Sequence, residues 1–156
     1  GKRKFINKLQ TVFDDSFYDP ANEPDIAYPY LFSRFKGEEW RTSKIVRKLL
    51  AKHFTAQADG IPGNDDTGTM SAWVVFSMMG LYPDIPGVPE YTLTTPAFDK
   101  ITITLNKDFY DNDAIIIEKI IANKNRIMID KQAVDHRITH NDLLNSHTLK
   151  FYSPSN

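Results

Sequence analysis

The chain has 156 residues, a formal net charge of −1, 25% charged residues and no cysteine. A chain of that length can bury the core of one domain. No sustained block of either sign offers a footprint for nucleic acid or an anionic membrane, and the lack of cysteine excludes disulfides, thiol catalysis and cysteine-based zinc sites.

From Lys2 to about Phe17, the residues Phe5, Ile6, Leu9, Val12 and Phe13 recur at three- and four-residue spacing. That spacing predicts a helix with one apolar stripe, stopped by Asp19-Pro20. Its basic start has the wrong sign for the helix dipole. In Asn22-Glu23-Pro24-Asp25-Ile26, Pro24 restricts Glu23 to extended backbone and Asp25 is placed to cap the next segment. Ile26 to Phe35, rich in aromatics, predicts two or three helical turns ended by Gly37. A second long helix runs from Glu38 to Phe54, with Ile45, Val46, Leu49, Leu50 and Phe54 inward and a basic, solvated face outward. His53 lies at the core edge of its C-terminal turn. Trp40 at its head serves either helix packing or an aromatic wall for a sugar.

Next comes Asp59-Gly60-Ile61-Pro62-Gly63-Asn64-Asp65-Asp66-Thr67-Gly68, a turn-rich stretch that delivers two adjacent carboxylates to the start of an apolar helix. Gly80 and Pro83 close that helix. An anion at this position interacts favourably with the free N–H groups of the first turn, so Asp65 and Asp66 are expected to be ionised at neutral pH. Three readings stand side by side: plain capping with an Asx-turn, a surface calcium loop, or the floor of a catalytic pocket. The spacing of Asn64, Asp65, Asp66 and Gly68 does not reproduce an EF-hand and supplies too few ligands for calcium by itself. Val75, Phe76 and Met79 make the back of this helix nearly as apolar as the face carrying Met70, Trp73, Val74, Ser77 and Met78, which predicts a helix without a wet side.

Beyond the proline-rich connector around Pro83, Pro86 and Pro89, the period changes from helical to two. Strands are predicted at 90–94, 100–105, 114–121, 126–129 and 147–153, with Ala122-Asn123-Lys124-Asn125 as a hairpin turn between the third and fourth. Thr139 to Asn145 reads as one helical turn capped by Thr139 or Asn141. Helices followed by strands define an α+β chain with two segments, residues 1–83 and 84–156. The Gly-Lys-Arg-Lys start without an initiator Met reads as an internal cut. No apolar run approaches the roughly 20 residues that span a bilayer.

Gly60-Ile61-Pro62-Gly63-Asn64-Asp65-Asp66, then Gly68, Met70-Ser71-Ala72-Trp73 and Gly80-Leu81-Tyr82-Pro83, resembles the signature of glycoside hydrolase family 92. Asn22-Glu23-Pro24 with Tyr28-Pro29-Tyr30-Leu31, Trp40-Arg41-Thr42, Pro89-Glu90-Tyr91, Phe98-Asp99-Lys100 and Ile138-Thr139-His140 occur in the family's order. The resemblance implies a calcium-dependent, inverting exo-α-mannosidase of bacterial origin, secreted, periplasmic or cell-surface, many members being α-1,2-mannosidases. It implies that the chain holds the last helices of an (α/α)6 barrel followed by a small antiparallel β subdomain.

An inverting glycosidase pairs a general acid with a general base about 6.5–9.5 Å away. The resemblance assigns the base to Asp66, with Asp65 in support. Some members carry an acid where this chain has Asn64, which could still orient the water. The family's general acid is a glutamate in an earlier barrel segment with no match here, so the acid is expected from upstream chain, and the isolated chain is expected to be inactive. Asn22 and Glu23 fall in a motif near the family's active centre and are candidates for contact with sugar or Ca2+. Ile26-Ala27 stands where members often have two histidines, so contacts made by those histidines do not transfer. The implied partners are a mannose-containing glycan and the remainder of the barrel, with self-association of the isolated segment. The competing reading is a non-catalytic carbohydrate-binding or interaction module on the same scaffold, with Tyr28, Tyr30, Trp40 and Tyr91 stacking on sugar rings and Asp66 only a cap.

Overall fold

A computed structural model describes residues 1–154. The chain is mixed α and β, and it divides into two compact units, Gly1–Val75 and Phe76–Asn156.

The first unit contains α1 (Lys2–Asp14), a 3-10 helix (Glu23–Arg34), α2 (Glu39–His53) and the start of α3 (Thr69–Met79). The long helices fall where their apolar periodicity puts them. Ile6 and Leu9 of α1 and Ile45, Val46 and Leu49 of α2 are buried, together with Tyr30, Phe32, Met70 and Trp73. Arg41 ties the helices at the surface of this core: its Nε meets Glu38 Oε2 at 2.7 Å and its Nη1 donates to Gln10 Oε1 at 2.8 Å. The helical turns read from Ile26 start earlier, so that Glu23 is helical and Asn22 is the extended residue, and the segment is 3-10 throughout. Pro24 stands in the first turn, where a missing N–H costs nothing, whereas Pro29 lies inside the segment and interrupts the regular ladder there.

Unit two is built from β-structure. A three-stranded antiparallel sheet has the order β1 (Leu81–Tyr82), β2 (Glu90–Leu93), β7 (Arg137–Thr139). A five-stranded sheet has the order β3 (Lys100–Thr104), β4 (Ala114–Ile121), β8 (Thr148–Ser153), β5 (Arg126–Ile129), β6 (Gln132–Val134). All pairings are antiparallel except β4 with β8. Leu81, Leu93, Ile115, Ile117, Ile138, Leu143, Leu149 and Phe151 form the shared core. Each such side chain contributes about 1.5–3 kcal/mol by leaving water.

The expected hairpin between β4 and β5 does not form. β8 lies between them, with Ile117 opposite Leu149 on one side and Ile127 opposite Phe151 on the other. The alternating Leu149 and Phe151 of β8 supply two buried residues where a direct β4–β5 pair would have left both strands short of a partner on the core face. The short strands β1, β6 and β7 carry too little pattern to be read in advance. Thr139 does cap α4 (His140–Leu144), in a reciprocal capping box with Asp142.

One polar cluster locks the smaller sheet. Asp84, whose side chain is 4% exposed, pairs with Arg137 Nη2 at 3.1 Å and accepts from Thr92 Oγ1 at 2.9 Å. A buried carboxylate so held satisfies the rule that an interior charge must be paired and hydrogen-bonded.

Candidate active site

The two carboxylates of the Asp65-Asp66 pair do different work. Asp65 caps α3: its Oδ1 accepts the Ser71 N–H at 2.7 Å and its Oδ2 accepts the Ser71 hydroxyl at 2.8 Å. These bonds, the backbone one first, hold its carboxyl below the usual carboxylate range. Asp66 instead contributes its backbone carbonyl, which accepts from the Thr69 N–H at 3.3 Å and the Thr69 hydroxyl at 2.8 Å. Its carboxylate is exposed and makes no hydrogen bond among the described residues.

The backbone that presents Asp66 is unusual. Asp66, Thr67 and Gly68 have φ of +46°, +61° and +93° in succession. Glycine adopts such angles freely, but Asp does so at a cost and a β-branched Thr is a true outlier there. Strain of about 1–3 kcal/mol per residue is retained only where the surroundings over-determine it, and such residues concentrate at functional sites.

Close packing brings the Asn22-Glu23 loop to the same turn. A Cβ placed on Gly63 would stand 2.6 Å from Ala21 Cβ, so the two backbones meet where only a glycine fits. Asp25, 7% exposed, organises the other loop, accepting the Asp19 N–H at 3.0 Å on Oδ2 and Asn22 Nδ2 at 3.1 Å on Oδ1. Asp25 thus braces the loop rather than capping the 3-10 helix, a role that Asp19-Pro20 followed by Asn22 only hints at. The Trp73 indole N–H donates to the Ile26 carbonyl in the 3-10 helix at 3.0 Å, and its ring lies against Phe54 and edge-on to Tyr30.

Glu23 is exposed and makes no hydrogen bond among the described residues, while the Asn22 carboxamide oxygen stays free to accept. Asn64 is exposed as well. Among the described residues no group of three or more His, Asp or Glu side chains could hold a metal ion. Calcium takes six to eight oxygens, so Asn22 and Glu23 alone do not complete a site for it. His53 sits at the end of α2, with its pKa lowered by burial and by Lys52, against a smaller opposing effect of Asp19.

The expectations for Tyr30 and for α3 change. Tyr30 is fully buried and cannot stack on a sugar; Trp40 carries the Arg41 guanidinium 4.6 Å from its ring centroid. Tyr91 is committed to His140 Nδ1 through its hydroxyl at 2.9 Å and lies against Phe76. α3 has an exposed side after all: Val75 is 56% exposed. Its apolar composition reports what the helix could pack against, not what covers it within this chain.

Comparison with known proteins places the chain in a family. Residues 1–153 match the Glycosyl hydrolase family 92 catalytic domain, and the chain belongs to that family of glycoside hydrolases. It is similar to the family GH92 alpha-mannosidase BT3965 from Bacteroides thetaiotaomicron, with a TM-score of 0.84 and 25% identity over 100% of this chain and 22% of that one. That protein has also been solved in complex with mannoimidazole. The family GH92 inverting mannosidase BT2199 of the same organism is 27% identical with a TM-score of 0.71, over 87% of this chain and 19% of that one. An uncharacterized secreted glycosidase of Arthroderma benhamiae is 32% identical over 103 residues, 66% of this chain and 13% of the relative. The chain therefore spans about a fifth of its solved relatives' length.

Proposed function

We propose that this chain is the base-bearing C-terminal part of an exo-acting α-mannosidase that inverts configuration, with Asp66 as the general base. The observation that carries the proposal is the division of labour in the Asp65-Asp66 pair. One carboxylate is consumed in capping α3, while its neighbour is held by a strained turn with both oxygens available to water. In this reading the Asp66 carboxylate takes a proton from water as the water oxygen attacks the anomeric carbon. The glycosidic C–O bond breaks, and the leaving oxygen receives its proton from an acid outside these residues. Asp65 supports the site by fixing the start of α3, and Asn64 orients the water. The two mannosidases among the solved relatives and the mannoimidazole complex support α-mannosides as the substrate class.

In this reading Asn22 and Glu23 lie beside the sugar, which the Gly63–Ala21 contact between their loop and the Asp66 turn supports. Hard oxygen donors suit calcium, which in the assembled protein would draw its remaining ligands from other chain segments; the ion would supply positive charge and orientation for sugar hydroxyls. The secreted relative supports an extracellular setting. Helices of an (α/α)6 barrel would cover exposed apolar side chains such as Val75 and Phe17, so the 156-residue chain alone should self-associate.

The test is Asp66→Asn in the whole protein that contains this chain. Hydrolysis of an aryl α-mannoside with calcium present should fall by about 10²–10⁴-fold, while binding of mannose is kept. Unchanged turnover would make Asp66 a turn residue only and defeat the assignment.

A further inference from the structure

We infer that the second unit carries a separate glycan-binding cleft, between the loop of residues 106–113 and α4. The cleft has a volume of about 270 Å³ and is lined by Phe109, Tyr110, Asp111, Asn112, Asn141 and Asn145, among others. It draws on the family's carbohydrate chemistry but not on the role of Asp66, whose residues it does not share.

The loop is built to present those side chains. Asn106 Oδ1 accepts the Asp108 N–H at 2.9 Å, and the Asn106 carbonyl accepts the N–H groups of Phe109 and Tyr110 at 3.0 and 3.1 Å. Asn112 pins the loop to the end of α4, its Nδ2 donating to the carbonyls of Leu144 and Ser146 at 2.9 and 3.1 Å. That geometry fixes the Asn112 amide orientation and leaves its oxygen as an acceptor. Phe109 is held in this braced loop although 78% exposed.

The chemistry of the lining selects the ligand. Asp111, Asn141 and Asn145 make no side-chain hydrogen bond among the described residues, so the rim offers unsatisfied donors and acceptors together. Among the described residues no lysine, arginine or histidine lines the cleft, which disfavours phosphate and carboxylate ligands. Two aromatic rings beside carboxamides and one carboxylate suit a neutral polyol with an apolar face and a polar edge, which is a pyranose. The volume is below the range of about 300–1,000 Å³ typical of drug-sized ligands and matches a single sugar residue of a longer chain. Because its lining shares no residue with the Asp65-Asp66 turn, its role is that of a holding site, one that keeps a branched or polymeric glycan on the protein between cleavages.

Affinity electrophoresis through gels containing soluble α-mannan tests this with the whole protein in its Asp66→Asn form, so that the polymer is not consumed. Retardation by mannan is expected, and Phe109→Ala with Tyr110→Ala should weaken it about tenfold. Asn145→Ala, a change at an exposed side chain, should weaken it about threefold. With Asp66 intact, the same substitutions should leave turnover of a small aryl α-mannoside unchanged. Equal retardation of parent and variants, no retardation of the parent, or a parallel loss of small-substrate turnover would each overturn the inference. Failure of the Asp66 assignment shows instead as full turnover by Asp66→Asn, so the two outcomes are separable.

Discussion

Gly63 and Ala21 approach so closely that a methyl group on Gly63 would lie 2.6 Å from Ala21 Cβ, and Gly63 holds φ at +70°. This contact joins the turn bearing Asp66 to the loop bearing Asn22 and Glu23. Gly63→Ala should therefore cost about 1–2 kcal/mol for the left-handed backbone, plus the displacement of one loop from the other. Gly37→Ala is the matched control, since Gly37 has φ of +89° and open space around it. In the whole protein both variants should lose stability in urea, but only Gly63→Ala should also lower mannoside turnover.

Trp73 of α3 ties the 3-10 helix to the core of the first unit. Trp73→Phe keeps an aromatic ring against Phe54 but leaves the Ile26 carbonyl without its indole donor. Removing the donor from this part-buried hydrogen bond costs about 1 kcal/mol. The expected result is a lower urea midpoint with an unchanged m-value.

Arg137→Leu should be the most damaging single change in the second unit. It strips the guanidinium from Asp84, a carboxylate with a side chain only 4% exposed. Breaking a buried pair from one side costs about 3–5 kcal/mol, whereas replacing both partners with apolar residues is often close to neutral. Arg137→Leu with Asp84→Leu should consequently be more stable than Arg137→Leu alone, as read by thermal unfolding.

Two groups of side chains make stability depend on pH in opposite directions. Asp65 and Asp142 have lowered pKa values, Asp65 through the Ser71 N–H and hydroxyl and Asp142 through the Thr139 hydroxyl and N–H. Their stabilisation is present above the usual carboxylate pKa, about 3.9, and is lost as pH falls through the lowered values. Tyr82 has the opposite sign: burial first, and then the charge of Asp84, pushes its phenol up to about 12. Its contribution is intact below the unfolded value of about 10 and is lost as pH rises toward 12. Asp65→Asn with Asp142→Asn should flatten the acid limb of a urea-midpoint profile, and Tyr82→Phe the alkaline limb.

Local patterns announced much of this architecture. The three-four spacing of Ile6 and Leu9 and of Ile45, Val46 and Leu49 marked α1 and α2, and Thr139 with Asp142 marked the capped turn of α4. Strand neighbours were not legible, because alternation at Ile115 and Ile117 says which face is buried and nothing about which strand lies alongside. The 3-10 geometry of Glu23–Arg34 was not legible, because spacing and composition announce helical turns without distinguishing i→i−3 from i→i−4 bonding. At the candidate site, the Asp65-Asp66 pair and the Asn22-Glu23 loop stood out in the residues, but the contact that joins them did not. Gly63 reads as an ordinary turn glycine until Ala21 is found against it. Nor could adjacent aspartates reveal which would be tied to Ser71, since that depends on the handedness of the backbone at Asp66 and Thr67.

β8 occupies the middle of its five-strand sheet although it comes after every other strand in translation order. The β3–β4 and β5–β6 ribbons emerge from the ribosome earlier and have no seam to share until Leu149 and Phe151 arrive. A premature stop ahead of Thr148 would strand both ribbons with open edges, the condition under which sheets recruit foreign partners. Quality control in the cell thus has a simple signal to read: this half of the molecule is either finished or sticky.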